Sequence, residues 1–234
     1  MIARLRNATV SPLWENLNLE LKRGEMVAIL GPNGSGKSTL LNVLTGTRKL
    51  TSGSVEVAGR IGYIPQQRTF PPDLPLRACD LVSLALNHGV VGAGLFGRST
   101  ARRSDVNEVL DFVNAGHLAK QRVGTLSGGQ QQLVRQAQAM ANQPDLLLAD
   151  EPFLSLDVSR QRETAERFHS LDAAVLMVTH SIDPVLELVD RILYIGPRGH
   201  VLGPADEVLR SEVLSELYGC PVDVMQVRGK TVIV

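Results

Sequence analysis

Met26-Val-Ala-Ile-Leu30 followed by Gly31-Pro32-Asn33-Gly34-Ser35-Gly36-Lys37-Ser38-Thr39 is the stretch that decides the fold of this chain. The first five residues are a short, wholly apolar run suited to a buried strand, and from Lys37 the sequence KSTLLNVL turns helical. Between them the spacing GxxxxGK[ST] reads as a phosphate-binding loop, set as such a loop must be between a strand and a helix. Glycines at this spacing let the main chain wrap around phosphate oxygens, and amides at the start of the helix face the negative charge. Lys37 is expected to reach the β- and γ-phosphates, and the Ser38 hydroxyl to bind Mg²⁺. Alone, this motif says nucleotide binding and little about purpose.

Downstream, Leu146-Leu-Leu-Ala-Asp150-Glu151 is an apolar strand that delivers carboxylates at its C-terminal end. Asp150 is expected to hold Mg²⁺, directly or through water. Glu151 is placed to aim at the water that attacks the γ-phosphate, a role worth about 10²–10⁴ in rate. His180 closes another apolar strand, Ala174 to Thr179; taken alone, it fits a capping or exposed role as well as catalysis. His88, His117, His169 and His200 have no partner spacing and are expected at the surface.

The rest of the chain alternates strands and helices, which argues for an α/β fold with a mainly parallel sheet covered on both faces. Residues 1 to 24 alternate apolar and polar positions, a half-buried β pattern. Val55–Val57, Ile61–Ile64 and Ile192–Ile195 are further short strands. Residues 70–75, FPPDLP, fit neither helix nor central strand. From about 76 to 124 the pattern is helical, so this segment is expected as a helical subdomain inserted into a nucleotide-binding core made of 1–75 and 125–234. Helices are expected from Ser127 to about Ala141 and from Arg160 to His169. From Asp206 the tail reads as a helix and a small strand. GVVGAGLFG reads as a loop.

The length of 234 residues allows one large domain. Lys plus Arg and Asp plus Glu number 24 each, and this zero net charge argues against a general nucleic-acid binder; nucleic acid is not an expected partner. Cys79 and Cys220 sit in no metal-type spacing and read as reduced thiols of a cytosolic protein. The N-terminus lacks a signal-peptide pattern, and no run approaches the roughly 18 apolar residues of a membrane span. Any membrane path is therefore expected on another chain.

Leu126-Ser127-Gly128-Gly129-Gln130 resembles the signature of ATP-binding-cassette proteins. Gln66 in GYIPQ resembles that family's Q-loop, Ser155-Leu-Asp157 its D-loop, and His180 in VTH its switch histidine, all in the family's order across essentially the whole chain. The resemblance implies a P-loop NTPase core with an N-terminal antiparallel β subdomain and an inserted helical subdomain. It implies ATP and Mg²⁺ as cofactors. Gly31 to Thr39, Gln66, Ser127, Gly128, Gly129, Gln130 and Asp157 would form the nucleotide site. Ser38, Gln66 and Asp150 would surround the metal, and Glu151, His180 and Gln66 would carry catalysis. Ser127 to Gly129 would bind the γ-phosphate of ATP held by a second copy, with Asp157 coupling the two sites. One departure concerns the aromatic that stacks on adenine in this family. Trp14 is the only aromatic nearby and is expected in the core, which leaves GTP open as a substrate.

Within the family, GYIPQQ, LRACDLVSLAL, GLFGR, DEPFLSLD and ELVDRILYI resemble the cassettes of manganese, zinc and iron-chelate uptake systems. The implied protein is an ATPase on the cytoplasmic face of the membrane that drives a separate permease, with an extracytoplasmic binding protein beyond it. Import is favoured because neither a regulatory domain nor a fused membrane domain is seen. The alternative is a soluble single cassette, such as an iron–sulfur assembly ATPase.

Overall fold

The computed structural model describes residues 1–66, 69–87, 103–227 and 230–233. His88, the GVVGAGLFG loop and the GLFGR segment lie outside the described residues. The chain begins with β1 (Ala3–Val10) and β2 (Trp14–Leu21), an antiparallel pair in which Val10 faces Trp14. The half-buried pattern of residues 1 to 24 is thus two strands, because the turn at residues 11–13 folds the second back on the first. Next come β3 (Met26–Leu30), α1 (Lys37–Leu44), β4 (Ser52–Val57) and β5 (Ile61–Ile64). Then follow α2 (Ala78–Asn87), α3 (Arg103–Phe112), α4 (Gly128–Met140), β6 (Leu146–Asp150), α5 (Val158–His169) and β7 (Ala174–Val178). The chain closes with β8 (Arg191–Gly196), β9 (Gly199–Gly203), α6 (Ala205–Val208), α7 (Ser211–Tyr218), β10 (Val224–Val227) and β11 (Lys230–Ile233).

Two sheets carry the architecture. One is antiparallel, in the order β2-β1-β4. The other has six strands in the order β5-β6-β7-β3-β8-β9, parallel throughout except for the β8–β9 hairpin. The mainly parallel sheet and the N-terminal antiparallel sheet are as expected. β9 is a strand the sequence reading did not foresee, and the terminal strand is in fact the hairpin β10–β11.

Side-chain alternation explains why β3 and β6 are apolar at every position. Val27 and Ile29 face one core with Leu5, Leu17, Leu40, Leu41 and Trp14, between the two sheets and α1. Met26, Ala28 and Leu30 face the other, with Val82, Leu110, Val134 and Phe168. α4 packs into that second core beside α2 and α3. A strand buried on both faces has no solvent side to keep polar. The same parity governs β6: Leu146 and Leu148 lie on the α1 face, so Asp150 emerges on that face as well, toward Ser38.

Candidate active site

The C-terminal ends of β3, β6 and β7 line up by register, with Asp150 opposite Val178 and Val178 opposite Ile29. Ligands of open α/β sheets bind at this edge. A cleft of about 280 Å³ opens there, and its walls include Lys37, Ser38, Gln66, Asp150, Glu151 and His180.

The phosphate loop is shaped for an anion. Gly36 stands at φ 92°, and a Cβ on it would lie 2.9 Å from the indole of Trp14. Only glycine fits both demands. Trp14 is 4% exposed, and its Nε1 donates to the Gly36 carbonyl at 3.3 Å. The tryptophan is thus a core residue beneath the loop. Helix α1 starts with no capping side chain and no acid in its first turn, so its leading amides and dipole are available to a phosphate. The Ser35 hydroxyl is buried in the loop without a hydrogen-bond partner. Lys37 is buried, its Nζ donating to the carbonyls of Gly31 at 2.8 Å and Pro32 at 2.7 Å, and burial lowers its pKa.

Asp150 and Glu151 sit side by side but in different environments. Asp150 accepts a hydrogen bond from the Ser38 hydroxyl, while burial raises its pKa. Glu151 is 7% exposed and sits at φ 52°, a left-handed conformation unusual for a residue with a side chain. Its N–H donates to the Val178 carbonyl at 3.0 Å, which locks the turn onto β7. Burial pushes its carboxyl up to about 7, with a smaller push from the charge of Asp150. The backbone N–H of His180, 3.3 Å from Oε2, and the charge of Lys37 oppose the rise. The His180 ring Nε2 stands 3.3 Å from Glu151 Oε1, without the alignment of a hydrogen bond. A carboxyl poised near neutrality beside an imidazole can take a proton from water.

The signature residues lie elsewhere. Ser127 is the N-cap of α4: its hydroxyl accepts from Gln130 N–H at 3.4 Å, and the Gln130 side chain accepts from Ser127 N–H at 2.9 Å. A Cβ on Gly129 would lie 3.0 Å from the Ser155 carbonyl oxygen, so the signature packs against the Ser155–Asp157 loop of its own chain. Asp157 caps α5 by accepting from Arg160 N–H at 3.0 Å. None of Ser127, Gly128, Gly129, Gln130 and Asp157 lines the cleft.

Leu13 does line the cleft, and the sequence reading passed it over in favour of Trp14. The β1–β2 turn brings Leu13 there while alternation turns Trp14 inward. Of the histidines expected at the surface, His117 and His169 are exposed. His200 is half-buried on β9, and burial lowers its pKa. Cys79 and Cys220 are both free, the first half-buried and the second exposed.

The family model described as ABC transporter matches residues 14–154. A zinc import ATP-binding protein ZnuC of Ruegeria sp. (strain TM1040) is 35% identical over 93% of this chain and 86% of its own length. A probable metal transport system ATP-binding protein of Chlamydia pneumoniae is 32% identical over 90% of this chain and 85% of its own. Among solved structures, an inward-facing protein assigned as a metal-chelate type ABC transporter aligns with TM-score 0.82 and 28% identity, covering 99% of this chain and 95% of that one. A dimeric ATP-binding cassette in a post-hydrolysis state with ADP and Pi aligns with TM-score 0.72 and 31% identity, over 83% and 94% of the two chains.

Proposed function

The chain belongs to the ABC transporter family, and from that premise we propose that it is the ATP-hydrolysing subunit of an importer for metal ions or metal chelates. It binds and hydrolyses ATP, and cassettes of this family pair with one another and work with a membrane permease. The observation that carries the proposal is the convergence of Lys37, Ser38, Asp150, Glu151 and His180 on one cleft while the signature stands outside it. That separation supports a reading in which a second copy completes the site, its Ser127, Gly128, Gly129 and Gln130 facing this copy's γ-phosphate, with Asp157 joining the two sites.

Within one cleft the roles divide by chemistry. The amides of Gly31 to Thr39 hold the phosphates, and Lys37 leaves its carbonyls to pair with them. Hydroxyl, carboxylate and amide oxygens suit Mg²⁺, and Ser38, Asp150 and Gln66 would hold it. Bound there, the ion would neutralise charge on the β- and γ-oxygens. Glu151 takes the proton of the attacking water, and His180 holds the γ-phosphate and orients that water. Leu13 offers the base an aliphatic wall and no aromatic stack, which supports loose selection of ATP over GTP.

We take residues 76–124 as the helical subdomain that meets the permease, and the whole 1–234 as one cassette. No helix among the described residues is long and apolar enough to cross a membrane; the likeness to import ATP-binding proteins supports a peripheral place on the cytoplasmic face. The metal cargo follows the import relatives, and an extracytoplasmic binding protein would deliver it to the permease. Co-expression with a permease whose gene is found next to this one should give a complex whose ATPase rate exceeds that of the cassette alone. Failure to associate, with no stimulation, would overturn the transporter reading and leave the ATPase standing.

A further inference from the structure

Two glutamines that follow the signature directly, Gln131 and Gln132, are 3% and 0% exposed, and the reaction as described uses neither. Gln131 spans two segments. Its Oε1 accepts from the Phe70 N–H at 3.0 Å, just beyond Gln66, and its Nε2 donates to the Leu126 carbonyl at 3.0 Å, just before the signature. One turn along, the Arg135 guanidinium lies 4.1 Å over the Phe70 ring centroid, a second tie between α4 and the same segment. Gln132 points elsewhere, because consecutive helical residues diverge by about 100°. Its Nε2 donates at 3.2 Å to the carbonyl of Pro152, the residue after Glu151. Its Oε1 is buried without a hydrogen-bond partner.

We propose that Gln131 and Gln132 are positioning residues that make α4 a bar joining the signature to the two segments that carry Gln66 and Glu151 into the catalytic cleft. The proposal rests on the reading of the signature as a nucleotide contact to a second copy. When Ser127 and its neighbours engage that nucleotide, the shift of α4 is passed through Gln131 to the segment after Gln66. Through Gln132 it is passed to the loop that opens with Glu151. Docking and catalytic alignment thereby become one event, and a cassette without its partner stays misaligned.

The test compares the full-length wild type with Gln131→Met, Gln132→Met and the double variant, scoring ATP turnover and thermal melting. Methionine keeps the side-chain length and removes both hydrogen-bonding atoms. Each single change is expected to lower kcat about tenfold, the scale of losing the one hydrogen bond that reaches Phe70 or Pro152, with KM for ATP within about twofold. Because both ties serve one movement, the double variant should fall no lower than the worse single variant. Additive losses, a loss carried by KM, or kcat falling only in step with melting temperature would overturn the proposal. Should a methionine variant fail to fold, leucine, which also lacks both hydrogen-bonding atoms, takes its place at that position under the same criteria. Amide exchange supplies an arm independent of turnover. Adding ATP should change protection at Phe70 and Leu154 together in the wild type and separately in the variants. Separate responses in the wild type overturn the relay, whereas a wild type that binds no ATP overturns the function instead.

Discussion

Glu151 joins an unfavourable backbone conformation, φ 52°, to a carboxyl raised to about 7. Both features cost stability, and both serve a base that must be poised near neutral pH. Glu151→Gln is expected to lower kcat by about 10²–10⁴ while ATP binding persists, as a nucleotide titration beside a turnover assay would reveal. In the wild type, kcat/KM should climb as pH rises through about 7, the ionisation of Glu151, and the glutamine variant should lose that limb. The sign for stability is the reverse. A carboxyl whose folded pKa is raised above its unfolded value of about 4.3 favours the fold only while protonated, so stability falls as pH rises through that window. Glu151→Gln should therefore melt higher than wild type at pH 8, with the gap narrowing as pH falls toward about 4; an unchanged gap would show that the carboxyl is not raised in the fold. At this scale much was legible, because the P-loop, Asp150–Glu151 and His180 are fixed by covalent spacing at strand ends. Leu13 was not, since only the turn after β1 decides which of two neighbours faces the cleft.

Among the elements, the helix starts show how chemistry and folding compete for the same groups. Ser127 caps α4 by accepting through its hydroxyl oxygen and is also proposed as a phosphate ligand, which calls on the O–H of the same group as a donor. Ser127→Ala should cost about 1 kcal/mol in chemical denaturation, the ordinary value of an N-cap, and should weaken turnover more than it weakens folding. Helix α1, uncapped, gives up that stabilisation so that its amides stay available. Its apolar face compensates: Leu40 and Leu41 are fully buried, and Leu41→Ala should cost about 2–5 kcal/mol. Periodicity revealed β3, β6 and β7 because both of their faces are buried. It hid β9, a short segment bounded by Gly199 and Gly203 and mostly half-buried at the sheet's edge, where neither alternation nor an apolar run marks a strand. It also merged β1 with β2, since the alternation persists on both sides of the turn and only antiparallel pairing separates them.

For the molecule as a whole, the separation of the signature from the cleft underlies the proposal that turnover is a property of two chains. Specific ATPase activity should therefore rise with protein concentration, and Glu151→Gln with ATP should elute as a dimer in size exclusion where wild type does not. A concentration-independent rate would place every catalytic group within one copy. No single chain's sequence displays such a requirement, because it would arise where two surfaces meet; here only the family signature points to it. One detail beneath the phosphate loop extends further. Trp14 is the sole tryptophan in the chain, and its indole N–H is bound to the Gly36 carbonyl at the head of α1. The protein therefore carries a built-in optical reporter at its own nucleotide site. Emission excited at the indole band should report loading of the loop in real time without any dye, and Trp14→Phe should silence it.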